Sequence, residues 1–241
     1  RPTPPGERPI GGLQGIVDHA MVGHFVGYTG NAAIGVANQI FIVVIVFIMS
    51  LFTGMSILVA RHVGARDALN ADRAVYQAFI TAIALSLGVL APVGYFLAPP
   101  LLSFVNATAA VQAEALPYLR ISCLFSVGML LFFMLSGALR SAGDARTPMR
   151  LGIGMTLLNV TFNVILIRGL GPIPAFGTAG AAMGTVLASG IVGGYGLWKL
   201  WHGGWVVAFP KGMGYRPDFT IIRSLFRFGL PTGIQGIAMN V

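Results

Sequence analysis

Charge is what this sequence has least of. Only 9% of its 241 residues are charged, against about 25% in an ordinary soluble domain. So few charges cannot cover a globular surface. With 56% hydrophobic residues and a mean hydropathy of +0.81, the chain reads as a polytopic membrane protein. Cysteine is nearly absent: Cys123 stands alone, which excludes an intrachain disulfide and leaves the redox compartment unread. No GxSxG elbow, GxxxxGK phosphate loop or zinc-hydrolase His-Glu spacing occurs. His19 and His24 are five residues apart and do not share a helical face. An enzyme is therefore not expected, and no cofactor or fixed metal is implied. The net charge of +8 does not point to nucleic acid, because the basic residues flank apolar runs instead of forming a basic face.

What the chain has is long apolar runs. They fall at roughly Ile10–Tyr28, Ala32–Ala60, Val75–Ala98, Pro117–Leu139, Met149–Ile167, Thr178–Trp201 and Ser224–Val241. Most approach or exceed the ~20 residues a helix needs to cross a bilayer. They are continuous and rich in Leu, Ala and Gly, without the alternation of barrel strands. The expected class is all-α: a six-helix transmembrane bundle plus the start of a seventh helix. Arg61, Arg66 and Arg73 follow span two, and Arg140, Arg146 and Arg150 follow span four. Lys199, Lys211, Arg216, Arg223 and Arg227 follow the core of span six. Arg120 lies at the start of span four, and Arg168 between spans five and six. By the positive-inside rule the ends of the even spans face the cytoplasm and span one starts there.

The expected organisation is a Pro-rich start at 1–9, non-native or truncated, and a six-span lobe at 10–201. A cytoplasmic linker at 202–223 leads to the start of a second lobe at 224–241. Gly12-Leu13-Gln14-Gly15-Ile16-Val17 is echoed by Gly233-Ile234-Gln235-Gly236-Ile237-Ala238, with Pro9 and Pro231 preceding them. Span seven thus restarts the pattern of span one, as in transporters built from two repeats with the path between them. On this reading the chain is the first half of a twelve-span protein, and its C-terminal half is a missing partner.

Asp18 is the only acid inside the apolar part of any span. A charge at membrane depth is costly, so it marks an ion or proton pathway by default. In span five Gly152, Thr156, Asn159 and Asn163 form one helical stripe, at i, i+4, i+7 and i+11. Its two amides offer oxygens to a hard cation or hold a neighbouring carboxyl, and they equally serve as interhelical glue. In span six Thr178, Thr185 and Ser189 add hydroxyls, which in membrane helices usually return to their own backbone.

The chain resembles the multidrug and toxic-compound extrusion (MATE) family from about Gly11 to Val241. The marks are VDHAMVG at Val17–Gly23, ARHVGARD at Ala60–Asp67, YLRI at Tyr118–Ile121 and ALRSAGDARTPM at Ala138–Met149. They continue with LLNVTFNVILI at Leu157–Ile167 and GPIPAFGTAGAAMGTVLA at Gly171–Ala188. The resemblance implies two six-helix lobes and export of organic cations and amphipathic compounds in exchange for Na⁺ or H⁺. It implies a coupling site of Asp18, Asn159, Asn163 and Thr185, with a transient Na⁺ at Asp18 and Asn159. Asn163 stands where some members carry a second acid, and Gly184 where the family's GAALAT pattern has Ala. Gln39 and Phe162 are candidates for the substrate cavity. The implied setting is the inner membrane of a bacterium, with the N-terminus cytoplasmic. The rival readings are a flippase for lipid-linked oligosaccharide or lipid, which would want a central Lys or Arg, and an inactive fragment.

Overall fold

In the computed structural model the described residues are 22–24, 26–105, 108–169, 173–209 and 216–240; the side chains of 42–47 and 232–240 are not described. Among them every regular element is helical. Helix α1 covers Tyr28–Gly64 and α2 covers Ala68–Leu85. Two π-helical stretches, Ser86–Leu90 and Val93–Leu97, carry α2 into α3, Ala98–Phe104. Then come α4 at Ala109–Leu124, α5 at Val127–Ser141, α6 at Arg146–Arg168 and α7 at Gly177–His202. Helix α8 is Phe219–Asn240.

Among the described residues three helices are long and apolar enough to cross a membrane: Ala68–Phe104, Arg146–Arg168 and Gly177–His202. The pair α4 and α5, bent by 54°, makes a fourth. Helix α1 holds span two and α8 holds span seven; most of span one lies outside the described residues.

Helix α1 buries Ile34, Ala37, Phe41, Ile48, Leu51, Met55 and Leu58. Their spacings of three, four and seven keep one stripe facing inward along the helix. Helix α2 answers with small side chains, Ala71, Ala74, Ala78 and Ala82, beside Val75 and Phe79. These let α1, α2 and α5 approach closely around the main core.

The sequence read span four as a single run, and the structure breaks it at Phe125–Ser126. The cause is a hydroxyl inserted into the backbone ladder. Ser126 Oγ donates to the Cys123 carbonyl at 2.9 Å and shares a hydrogen bond of 2.7 Å with Ser86 Oγ. Ser86 opens the first π-helical stretch, so both departures from α-helix meet at one buried pair of serines. Pro92, between the two π stretches, has no N–H to give back and helps hold the ladder open. Span four also begins earlier than hydropathy suggests. Helix α4 starts at Ala109, so Glu114 and Arg120 lie within it and Arg120 is its twelfth residue.

After α7 the chain turns at Gly203, whose φ of 72° is the left-handed cap glycine favours. It then folds back as a strap against α2. Val207 and Phe209 enter the main core, and Phe209 meets Tyr76, Phe79 and Trp201 edge-on. Asp72 accepts the Ala208 N–H at 3.0 Å. The Gln77 amide clamps the far end of the strap, donating to the Arg216 carbonyl at 2.9 Å and accepting the Asp218 N–H at 3.1 Å. Asp218 then caps α8 through the N–H of Thr220 at 2.9 Å. Helix α8 crosses α1 with two glycines at the contact. A Cβ on Gly54 would run into the Leu225 carbonyl, and one on Gly229 into the Ser50 carbonyl.

Candidate ion-coupling site between α6 and α7

Asp144 starts α6 by accepting the N–H of Arg146 at 3.1 Å and of Thr147 at 3.0 Å, two donors the first turn leaves open. The Thr147 side chain, those backbone N–H groups and nearby Arg150 hold its carboxyl below the usual aspartate range. From there the helix presents Gly152, Met155, Asn159, Asn163 and Leu166 to the interior. Met149, Ile153 and Leu157 stay exposed. Helix α7 meets that face with small residues. Gly180 packs on the Leu166 carbonyl and Gly184 on the Asn163 side chain. The Gly180/Gly184 pair is thus a working helix contact.

Both amides are fully buried. They form a directed chain. Asn163 Nδ2 donates to Asn159 Oδ1 at 3.3 Å, and Asn159 Nδ2 donates to Thr185 Oγ1 at 3.0 Å. Thr185 passes its own hydrogen to the Ala181 carbonyl at 3.2 Å. Three of the four expected site residues are therefore in contact. Asp18, the fourth, lies outside the described residues, as does His19. Thr156 returns to the Gly152 carbonyl at 3.0 Å and stands apart from the chain.

The hydroxyls of α7 divide in their roles. Ser189 bonds its own backbone at Val186, and Thr185 serves both its backbone and Asn159. Thr178 bonds neither: it ties α7 to α4 through the carbonyl and carboxylate of Glu114. Phe162 is half-buried and packs on the cluster of Met155, Ala188 and Val192. Gln39 is exposed on α1. Phe41 and Tyr76, aromatics in the apolar spans, belong to the core, Tyr76 beside the strap. Among the described residues no group of three His, Cys, Asp or Glu comes together to hold a metal.

Two amides and a hydroxyl make a neutral site with carbonyl and hydroxyl oxygens and no charge of its own. Such a set orients a carboxylate or completes the shell of a hard cation. It performs no bond-breaking chemistry unaided.

The MatE family model matches residues 13–165, a stretch that includes Asn159 and Asn163. The chain belongs to the MatE family. A probable multidrug resistance protein NorM of Thermotoga maritima is 29% identical over 98% of this chain and 50% of its own length. An uncharacterized transporter of Bacillus subtilis, YisQ, is 32% identical over 67% of this chain and 36% of its own. A solved MOP-superfamily transporter from Pyrococcus furiosus superposes with a TM-score of 0.81 at 25% identity. That likeness covers 96% of this chain and 50% of the solved one, a transporter noted for the reverse polarity of its binding pocket. This MatE chain spans about half the length, or less, of the relatives it matches. MatE proteins are multi-pass membrane transporters and not enzymes.

Proposed function

We propose that the chain forms the ion-coupling lobe of a multidrug antiporter that exports organic cations and amphipathic compounds by alternating access. The single observation that carries this reading is the buried Asn163–Asn159–Thr185 chain, linking two helices around a neutral oxygen-rich point. Asp18 supplies the charge. H⁺ or Na⁺ neutralises it, and the amides orient it or share the ion. The ion biases the transporter only by its differential affinity for the two states. The basic loops favour a cytoplasmic N-terminus, with the ends of α3 at Phe104 and α4 at Ala109 on the far side. A second lobe completes the path, and a bacterial inner membrane is the setting.

Gradient-driven efflux of ethidium from vesicles tests this, with Na⁺ and H⁺ gradients imposed separately. Asp18→Asn and Asn159→Leu are compared with wild type at equal protein level. Loss of efflux in both supports the reading, and the gradient that had driven it names the ion. Undiminished efflux in Asp18→Asn removes it.

A further inference from the structure

An apolar groove of about 390 Å³ runs along the outside of the lobe where α4 breaks from α5. Leu87 of the first π stretch, Leu124 and Phe125 at the break, and Gly190 and Gly194 of α7 line it. Its volume lies within the range of about 300–1,000 Å³ typical of small-molecule pockets. Leu87, Leu124 and Phe125 are all substantially exposed, so the groove faces outward and not into the Asn159 site.

Helical register places Arg120 beside the Leu124 wall of the groove. It lies one helical turn before Leu124 on the same face of α4. Its guanidinium stands 5.1 Å from the centre of the Tyr95 ring, two turns beyond Leu87 on the facing span. A cation at that distance is held by the ring face. Arg120 Nε is buried without a hydrogen-bond partner, and Arg120 forms no ion pair among the described residues. Glu114, on the same helix, is already bonded to Thr178. A guanidinium with an unpartnered Nε beside an apolar trough fits an anion with a hydrocarbon tail.

We propose that this groove binds an anionic phospholipid, with one acyl chain along Leu87, Leu124 and Phe125 and its phosphate on Arg120. Tyr95 and Arg120 lie in the halves of their spans nearer Phe104 and Ala109, from where a long side chain reaches toward the headgroups. The helix break creates the trough, and the occupied trough in turn holds the break open. The inference is independent of the coupling reading, since it uses none of Asp18, Asn159, Asn163 or Thr185.

Native mass spectrometry of the purified chain in detergent tests it. The chain is titrated with phosphatidylglycerol or phosphatidylcholine of matched acyl chains. Wild type should retain the anionic lipid about fivefold more tightly, the weight of one basic side chain on an anionic surface. Arg120→Gln should abolish that preference and Arg120→Lys keep it. Gly194→Leu should lose the defined adduct with either lipid, because a Cβ there meets no atom within 4 Å and the added side chain fills the groove. Gly194→Leu leaves Arg120 untouched, so a folding failure of Arg120→Gln does not end the test. A preference that survives Arg120→Gln, or an adduct that survives Gly194→Leu, overturns the proposal. So does displacement of the lipid by ethidium at stoichiometric amounts, which would make the groove a cargo site.

Discussion

Asn163 and Gly184 are fitted to one another: the Asn163 carboxamide oxygen occupies the space where a Cβ on Gly184 would stand. The glycine and the amide are thus one feature on two helices. The fit accounts for glycine at 184, where the GAALAT pattern of the resemblance has Ala. Where the family has Ala, this chain has the residue that lets a fully buried Asn side chain lie flat against α7.

Gly184→Ala should therefore be costly despite its mildness. The new methyl must displace Asn163 or push α6 from α7, and such overpacking costs about 1–3 kcal/mol. Asn163→Ala should relieve it, so the two changes together should cost less than their sum. Thermal unfolding in detergent of the two single variants and the double variant measures the coupling.

Asn159 joins the site at its middle. Asn159→Leu removes the bonds to Asn163 and to Thr185 at once. At about 0.6 kcal/mol for each hydrogen bond in a membrane bundle, the loss is roughly 1 kcal/mol. Fold should survive and coupling should not, so efflux should fall while the unfolding midpoint drops only a few degrees.

The start of α6 responds to acid. The Asp144 carboxyl titrates below its ordinary value because the folded state bonds its ionised form. Its stabilisation is present above the unfolded value, about 4. It fades as pH falls through the lower folded value. Asp67 behaves alike, held down first by the Asn70 side chain and then by the Asn70 backbone N–H. Asp144→Ala should lower the unfolding midpoint at pH 6, and its difference from wild type should shrink towards pH 3.

The strap offers a larger effect. Phe209→Ala leaves a hole among Tyr76, Phe79 and Trp201 and should cost about 3–5 kcal/mol. Gln77→Leu removes two hydrogen bonds with little change of volume. Amide exchange should accelerate at Asp218, whose N–H Gln77 accepts, and remain slow at Ala208, which Asp72 holds.

Much of this was legible in the sequence because hydropathy and helical period are local. The apolar runs within the described residues became helices, and the amide stripe of span five turned inward with Asn159 and Asn163 on Thr185. The sequence could not tell which partner each polar group would choose. Thr178 looked like its neighbours, yet it bonds Glu114 on a helix 64 residues earlier in the chain. The break at Ser126 was hidden because serine is unremarkable in a membrane helix until a second serine, Ser86, faces it. Gln77 was a lone amide in an apolar run, a signal that needed the strap to give it meaning. Arg120 stood within the YLRI motif, but hydropathy began its span eight residues after the helix itself begins.

The crossing of α1 and α8 limits how the two can move. Gly54 lies under the Leu225 carbonyl and Gly229 under the Ser50 carbonyl, each pair four residues apart on its own helix. Sliding either helix along the other would drive a carbonyl into a side chain at the next position. Turning about the contact drives neither carbonyl into a side chain. The crossing therefore resembles the rivet of a pair of shears: it resists sliding and leaves the angle between the blades.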